Sequence, residues 1–305
     1  MRCSDAARDR GDVLAGTATK MPGWVILEEP GPWGQDAWRE ARLPDGLGAA
    51  LLAKAAEANI RPLLARRPLR AHRPSSGEPR RAWLAHSSAE NPWVATRSVE
   101  DPRELLDLDL TTASDRPPPG WEPSADPFFG VCTHGKHDAC CAIRGLPVVA
   151  ALHEVEPQNT WEVSHIGGDR FAANLLVLPD GLYYGGLDPA SAVDVAATHR
   201  DGRVALAHLR GRSAWSMPVQ AALIAIRRHT AYDTVVEPTD VRTERSTDGW
   251  LVSATVGEGR WSVEVTREAH PPVALTCSAR APGVPWVHRA GEPRSVSRPR
   301  RDGPA

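Results

Sequence analysis

Three of the chain's five cysteines, Cys132, Cys140 and Cys141, fall within ten residues, in a segment that also holds His134, His137 and Asp138. About two dozen residues later, Ser164-His165-Ile-Gly-Gly-Asp169 sets a histidine and a carboxylate four positions apart across a Gly-Gly turn. Soft thiolates and an imidazole gathered by turns are the donors from which iron–sulfur and zinc sites are built. A [2Fe–2S] cluster needs two protein donors on each iron. Cys132 and Cys141 form one candidate pair, and His165 and Asp169 form the other. Cys140 is the alternative to Cys141, since adjacent residues aim their side chains apart. Cys141 is favoured because it leads directly into a helical segment. A tetrahedral zinc ion could use the same four donors, Cys132, Cys141, His165 and Asp169.

Neighbouring patterns are excluded by spacing. Cys132-Thr-His134 matches the first half of a Rieske motif, but no cysteine with a histidine three positions on follows it. His134 and His137 are expected to be outer hydrogen-bond donors or exposed side chains. Cys3 and Cys277 stand alone in the sequence and read as ordinary thiols. Lys136, Arg144 and Arg170 flank the two loops. They are placed either to stabilise an added electron and dock an acidic partner, or simply as solvated surface charges.

The elements that must position these donors follow from hydrophobic patterning. In the first part, Gly23–Glu28 and Arg81–His86 read as strands, residues 47–59 as a helix followed by an apolar run at 60–65, and Asp101 opens a short helix. The segment 67–81, rich in Arg and Pro, reads as a surface loop, and residues 112–127 as a proline-rich connection. Beyond it, Phe128–Val131 is a strand running into Cys132, and 144–155 a helix with Pro147 in its first turn. Thr160–Ser164 is a strand ending at His165. A hairpin turns at Asp180-Gly181, and Asp188-Pro189 caps a further helix. Strand, helix, strand, hairpin, helix is the order of a thioredoxin-like unit. A helix at 216–229 and a hairpin of residues 250–256 and 260–266 complete the pattern.

The expected class is α/β, with four parts. Residues 1–115 form an N-terminal α/β domain whose element order is itself similar to a thioredoxin-like unit, and 116–212 a thioredoxin-like ferredoxin domain. Residues 213–290 form a helix-plus-hairpin extension, and 291–305 a polar, basic, disordered tail.

Composition narrows the function classes. The 305 residues carry a net charge of −2, with 41% hydrophobic and 24% charged residues, so neither nucleic acid nor an anionic membrane is expected as the main partner. No stretch reaches the roughly 18 apolar residues of a membrane span. The N-terminus lacks a secretory apolar region, which gives a cytoplasmic expectation. An odd, clustered set of cysteines fits a metal or redox site better than a disulfide framework.

At these residues the chain resembles the sucrase/ferredoxin-like family, whose metal-binding half is similar to the thioredoxin-like [2Fe–2S] ferredoxins. The resemblance runs through Cys3-Ser4, Glu28 to Gly34, Trp83 to His86, Cys132-Thr-His-Gly-Lys136, Cys140-Cys141, Ser164 to Gly168, Val177 to Gly185 and His208 to Arg212. It implies a cluster held by two cysteines and a His-x-x-x-His pair. Cys132, Cys141 and His165 match, whereas the second histidine is Asp169 here. The implied activity is one-electron transfer to a redox partner, with a [2Fe–2S] cluster as cofactor. A zinc-stabilised protein, or a thiol-redox protein using Cys140 and Cys141, is the alternative. The glycosidase implied by the word sucrase is not adopted, because no pair of carboxylates is singled out by spacing.

Overall fold

The computed structural model describes residues 2–68, 78–111 and 116–296. Its elements begin with α1 (Cys3–Asp9), β1 (Gly23–Glu28), α2 (Ala37–Glu40), α3 (Leu47–Glu57), β2 (Ile60–Arg66), β3 (Arg80–His86), β4 (Trp93–Val99) and β5 (Glu122–Pro123). The second half holds β6 (Phe128–Cys132), α4 (Ala139–Val155), β7 (Thr160–Val163), β8 (Leu175–Leu178), β9 (Leu182–Tyr184), α5 (Pro189–Arg200) and β10 (Leu209–Arg212). Last come α6 (Met217–Thr230), β11 (Thr239–Ser246), β12 (Gly249–Val256), β13 (Gly259–Ala269), β14 (Trp286–Ala290) and β15 (Arg294–Ser295). The α/β class is the one expected. Ten strands form one sheet in the order β10-β9-β8-β6-β7-β2-β1-β3-β4-β5. A second sheet runs β11-β12-β13-β14, with β15 beside β13.

The large sheet consists of the same arrangement twice. In the first half β1 is parallel to β2 and antiparallel to β3, which pairs antiparallel with β4. In the second half β6 is parallel to β7 and antiparallel to β8, which pairs antiparallel with β9. Parallel neighbours require a crossover. Helix α3 supplies it in one half and α4 in the other. The halves meet edge to edge through antiparallel β2 and β7, with Ala65 opposite Val163 and Arg66 opposite Glu162.

Strands covered on both faces read as unbroken apolar runs. β1 and β8 are buried throughout, as their sequences demand. Strand periodicity then divides β6 between two cores. Phe128 and Cys132 face Trp24, Trp83 and Trp161, while Phe129 and Val131 face Val148 and Leu152 of α4. Trp83 and Trp161 meet edge to face at 4.5 Å between ring centroids, a favoured aromatic geometry.

Several boundaries differ from the sequence expectation. Helix α4 starts at Ala139 because Asp138 caps it, accepting from the Cys140 amide, so Pro147 lies inside the helix and not in its first turn. α1, β4, β10, β11 and β14 are short or amphipathic elements that the patterning did not single out. Order also extends past residue 291, since Arg294–Ser295 pair with Trp261 and Ser262. Residues 69–77 of the arginine-rich loop, 112–115 of the proline-rich connection and 297–305 of the tail lie outside the described residues. Among the described residues no helix is long and apolar enough to cross a membrane.

Glu162 is fully buried, and its Oε2 accepts from Arg66 Nε at 2.9 Å, Arg66 Nη2 at 2.6 Å and Thr133 Oγ1 at 2.8 Å. Replacing one partner of a buried ion pair leaves the other's desolvation uncompensated. Arg66→Met should therefore lower unfolding free energy by about 3 kcal/mol in urea titration, and the Arg66→Met/Glu162→Gln double variant should recover part of that loss. His199 lies 3.6 Å from Asp180, yet burial holds its pKa below the ordinary 6.5, helped by the charges of Arg212 and Arg200. Above about pH 6.5 this carries no penalty. As the pH falls below that value, the unfolded chain binds a proton that the folded one refuses, so stability declines. His199→Gln should flatten the pH dependence of the denaturation midpoint between about pH 6.5 and 5.

Candidate metal centre

Cys132 ends β6, and its amide donates to the Asn174 carbonyl at 3.0 Å. The chain then turns tightly, with the His137 and Asp138 amides both donating to the His134 carbonyl at 3.1 Å. Asp138 restarts it as α4. The helix lies so close to the strand end that a Cβ on Gly145 would stand 2.3 Å from the Cys132 carbonyl oxygen. Only glycine allows that approach, and it brings Cys141 to face Cys132 in the central core.

The second loop leaves β7 at Ser164. Its hydroxyl accepts from the Leu64 amide at 3.0 Å, while its own amide donates to the Leu64 carbonyl, which ties the loop to the other half of the sheet. Gly167 and Gly168 take φ values of 95° and 82°, the left-handed region open to glycine. Beneath them lies Arg210, 1% exposed. Its Nη1 donates to the Gly167 carbonyl at 2.9 Å and to Asn174 Oδ1 at 2.8 Å, and its Nη2 donates to the Thr17 carbonyl. Asn174 Nδ2 in turn donates to the Gly168 carbonyl. Arg210 and Asn174 therefore brace both loops from below.

Cys132, Cys141 and His165 bring their ligand atoms within 4.8 Å of one another. His137, His165 and Asp169 form an overlapping group at the same spacing. Asp169, 3% exposed, sits between the two groups, with Oδ1 2.9 Å from His165 Nδ1 and accepting from Cys141 Sγ at 3.3 Å. All four sequence candidates thus meet in one place, and the groups they form with His137 could hold a metal ion.

The two remaining histidines divide. His134 has both ring nitrogens engaged, Nε2 at 2.8 Å from the Gly34 carbonyl and Nδ1 accepting from the His165 amide at 3.3 Å. It supports the backbone of His165 and has no nitrogen left for a metal. His137 is different: its ring stacks on His165 with centroids 3.8 Å apart, and its Nε2 is 3.8 Å from Asp169 Oδ2. Sequence reasoning set it aside as an outer or exposed group. Its position one helical turn before Cys141, across the cap of α4, was the available signal.

Cys140 does not join this group. It points to the other side of α4, toward Cys3, Cys277 and Asp138. The reading of Cys3 and Cys277 as isolated thiols is therefore corrected: distant in sequence, they meet in space. Of the flanking cations, Arg144 pairs with Asp5 and Arg170 lies 3.3 Å from Asp12, while Lys136 stays exposed.

Of the three donors, Cys132 alone is drawn toward the deprotonated form that binds a metal, while Cys141 and His165 are held protonated. The Cys141 thiol hydrogen-bonds to Cys132 and holds its sulfur toward the thiolate, against the opposing effect of burial, with His165 adding to the stabilisation. Cys141 itself is pushed up by the same shared proton and by burial. Burial opposes charge on His165, but the Asp169 carboxylate and the Cys132 sulfur outweigh it and raise its pKa to about 9. Burial likewise works against ionised Asp169, and the His165 partner overcomes it and lowers its pKa. One edge of His165, with His137, borders an open groove of about 550 Å³ that is also lined by Arg61, Trp38 and Glu40.

Residues 14–211, more than half of the chain, match the family model described as sucrase/ferredoxin-like. The chain belongs to this family. The matched span takes in both halves of the large sheet, both loops and Arg210, but neither Cys3 nor Cys277. Among curated proteins, "Altered inheritance of mitochondria protein 32" of Candida glabrata is 27% identical over 101 residues, covering 28% of this chain and 32% of the relative. The alignment thus spans about a third of that relative's length. No solved structure matches. In this family member the approach of α4 to Cys132 sets the distance between the two thiols. Gly145→Ala should destabilise the fold by about 1–3 kcal/mol in denaturant titration and, by separating Cys132 from Cys141, weaken the binding of added zinc to these thiols.

Proposed function

We propose that this protein is a one-electron carrier with a [2Fe–2S] cluster seated between the two loops, Cys132 and Cys141 on one iron, His165 and Asp169 on the other. The convergence of Cys132, Cys141 and His165 within 4.8 Å, in the span shared with the sucrase/ferredoxin-like family, carries the reading. When bound, such a cluster supplies one-electron redox chemistry. The chain's residues set its terms. An imidazole in place of a thiolate removes negative charge and favours reduction, and Asp169 restores part of that charge. His165 and Cys141 give up their protons on loading, so retention strengthens as pH rises. The His165 edge at the groove offers the short route for an electron to a partner, and exposed Lys136 offers a contact for an acidic one. Donors that must stay reduced favour a reducing compartment such as the cytoplasm.

One observation favours a second reading, a single zinc ion. All three of Cys132, Cys141 and His165 lie mutually close, with Asp169 beside them, as around one tetrahedral centre. Thiol–disulfide chemistry through Cys140 and Cys141 is disfavoured, since the two thiols belong to different side-chain groups.

Anaerobic purification with iron, sulfide and zinc analysis of the same sample separates these readings. The cluster reading expects coloured protein with about two irons and two sulfides per chain, lost in Cys132→Ser and His165→Ala. Asp169→His should retain the cluster with a higher potential. If His137→Ala loses iron while Asp169→Asn keeps it, the fourth donor is His137. A single zinc that depends on Cys132 and Cys141 would establish the structural reading, and colourless protein that stays free of iron after reconstitution would overturn electron transfer.

A further inference from the structure

On the far side of α4, three thiols from distant parts of the chain meet. Cys3 Sγ is 3.6 Å from Cys140 Sγ, Cys140 Sγ is 3.1 Å from Cys277 Sγ, and Cys277 Sγ is 3.5 Å from Cys3 Sγ. Asp138 completes the group, with Oδ2 at 3.8 Å from Cys3 Sγ. We propose that Cys3, Cys140, Cys277 and Asp138 form a second, separate metal site that holds one zinc ion and staples three chain segments together.

The distances decide the kind of metal site. Zinc–thiolate bonds of about 2.3 Å in a tetrahedron set neighbouring sulfurs roughly 3.8 Å apart. The observed separations of 3.6, 3.1 and 3.5 Å need to open by roughly 0.2 to 0.7 Å. Three sulfurs at 3.1 to 3.6 Å from one another leave room between them for a single ion. A disulfide accounts for the arrangement less well, because it joins two sulfurs and leaves the third without a role. Three soft thiolates with one carboxylate select a thiophilic ion over magnesium or calcium.

The setting fits the charge. Cys140 lies in the first turn of the 17-residue α4, where the helix end favours anions. Asp138 is already held in place: Oδ1 accepts from the Cys140 amide at 2.7 Å, and Oδ2 from the Cys277 amide at 2.6 Å. Cys3 and Cys140 pack with Ala172 in a small buried cluster, while Cys277 lies at the surface on the link between β13 and β14. A metal here would bind α1 and the small sheet to the helix that presents Cys141. The adjacent thiols Cys140 and Cys141 would then serve two different metals.

The test uses the full-length chain and a Cys132→Ser/Cys141→Ser form that removes the first site's thiols. Both should retain about one zinc per chain after extensive dialysis. Cys277→Ser, whose surface position spares the core, should lose that zinc while keeping any iron. Cobalt substituted into the Cys132→Ser/Cys141→Ser form should give tetrahedral d–d absorption and thiolate charge-transfer bands. Chelation should lower the melting temperature of the wild type and leave Cys277→Ser unmoved. Absence of zinc and of the cobalt spectrum, zinc unaffected by Cys277→Ser, or a disulfide among the three thiols under reducing purification would each overturn the proposal. Iron that follows Cys132 and zinc that follows Cys277 keep this outcome distinct from that of the electron-transfer reading.

Discussion

The carboxylate of Glu162 is the point where the two halves of the sheet and the cysteine loop are held to one another. β2 and β7 share only a short pairing, which backbone hydrogen bonds alone would leave weak. Arg66 crosses the seam to Glu162, and Thr133, next to Cys132, donates to the same carboxylate oxygen. A buried charge with this many donors fixes direction as well as position, because any shift along the seam would strand it. Since Cys132 and His165 lie at the ends of β6 and β7, the strand pair that carries Glu162, the separation of the two donor loops is set by that anchored edge.

A second constraint acts at the start of α4. Asp138 caps the helix, and the two residues that follow Ala139 are both cysteines. Successive positions on a helix point about 100° apart, so Cys140 and Cys141 cannot serve one centre. Gly145 then fixes which thiol faces the strand: with a backbone carbonyl 2.3 Å from where its Cβ would be, the helix can dock in only one rotation. That Cys141 and not Cys140 faces Cys132 has its cause in this contact, four residues beyond Cys141.

Much of this was legible in the sequence, and what was not follows a physical pattern. Strands buried on both faces, the capped helix after Asp188-Pro189 and the gathering of Cys132, Cys141, His165 and Asp169 depend on local patterning and short spacing. Local residues report on these directly. Cys3 and Cys277, separated from Cys140 by more than a hundred residues in either direction, meet only through the packing of α1 and the small sheet. No local pattern encodes that. Arg210 was equally silent, since a buried arginine is recognised only from the carbonyls that surround it.

The repeated strand order places the first half's loop against the candidate site. Glu29-Pro-Gly-Pro-Trp33-Gly34 follows β1 where Thr133 to Asp138 follow β6, so the two loops occupy equivalent places in the two halves. The first carries no cysteine or histidine. Its Gly34 carbonyl instead engages His134 Nε2, Trp33 packs edge-on to the His134 ring at 5.8 Å, and Arg66 lies over Trp33 at 4.3 Å. His134 in turn receives the His165 amide. The first half thus acts on the half that carries the candidate donors through one histidine and one arginine, and its loop keeps the His165 backbone in register. The same strand arrangement serves two ends, one copy presenting the candidate donors and the other holding their backbone in place.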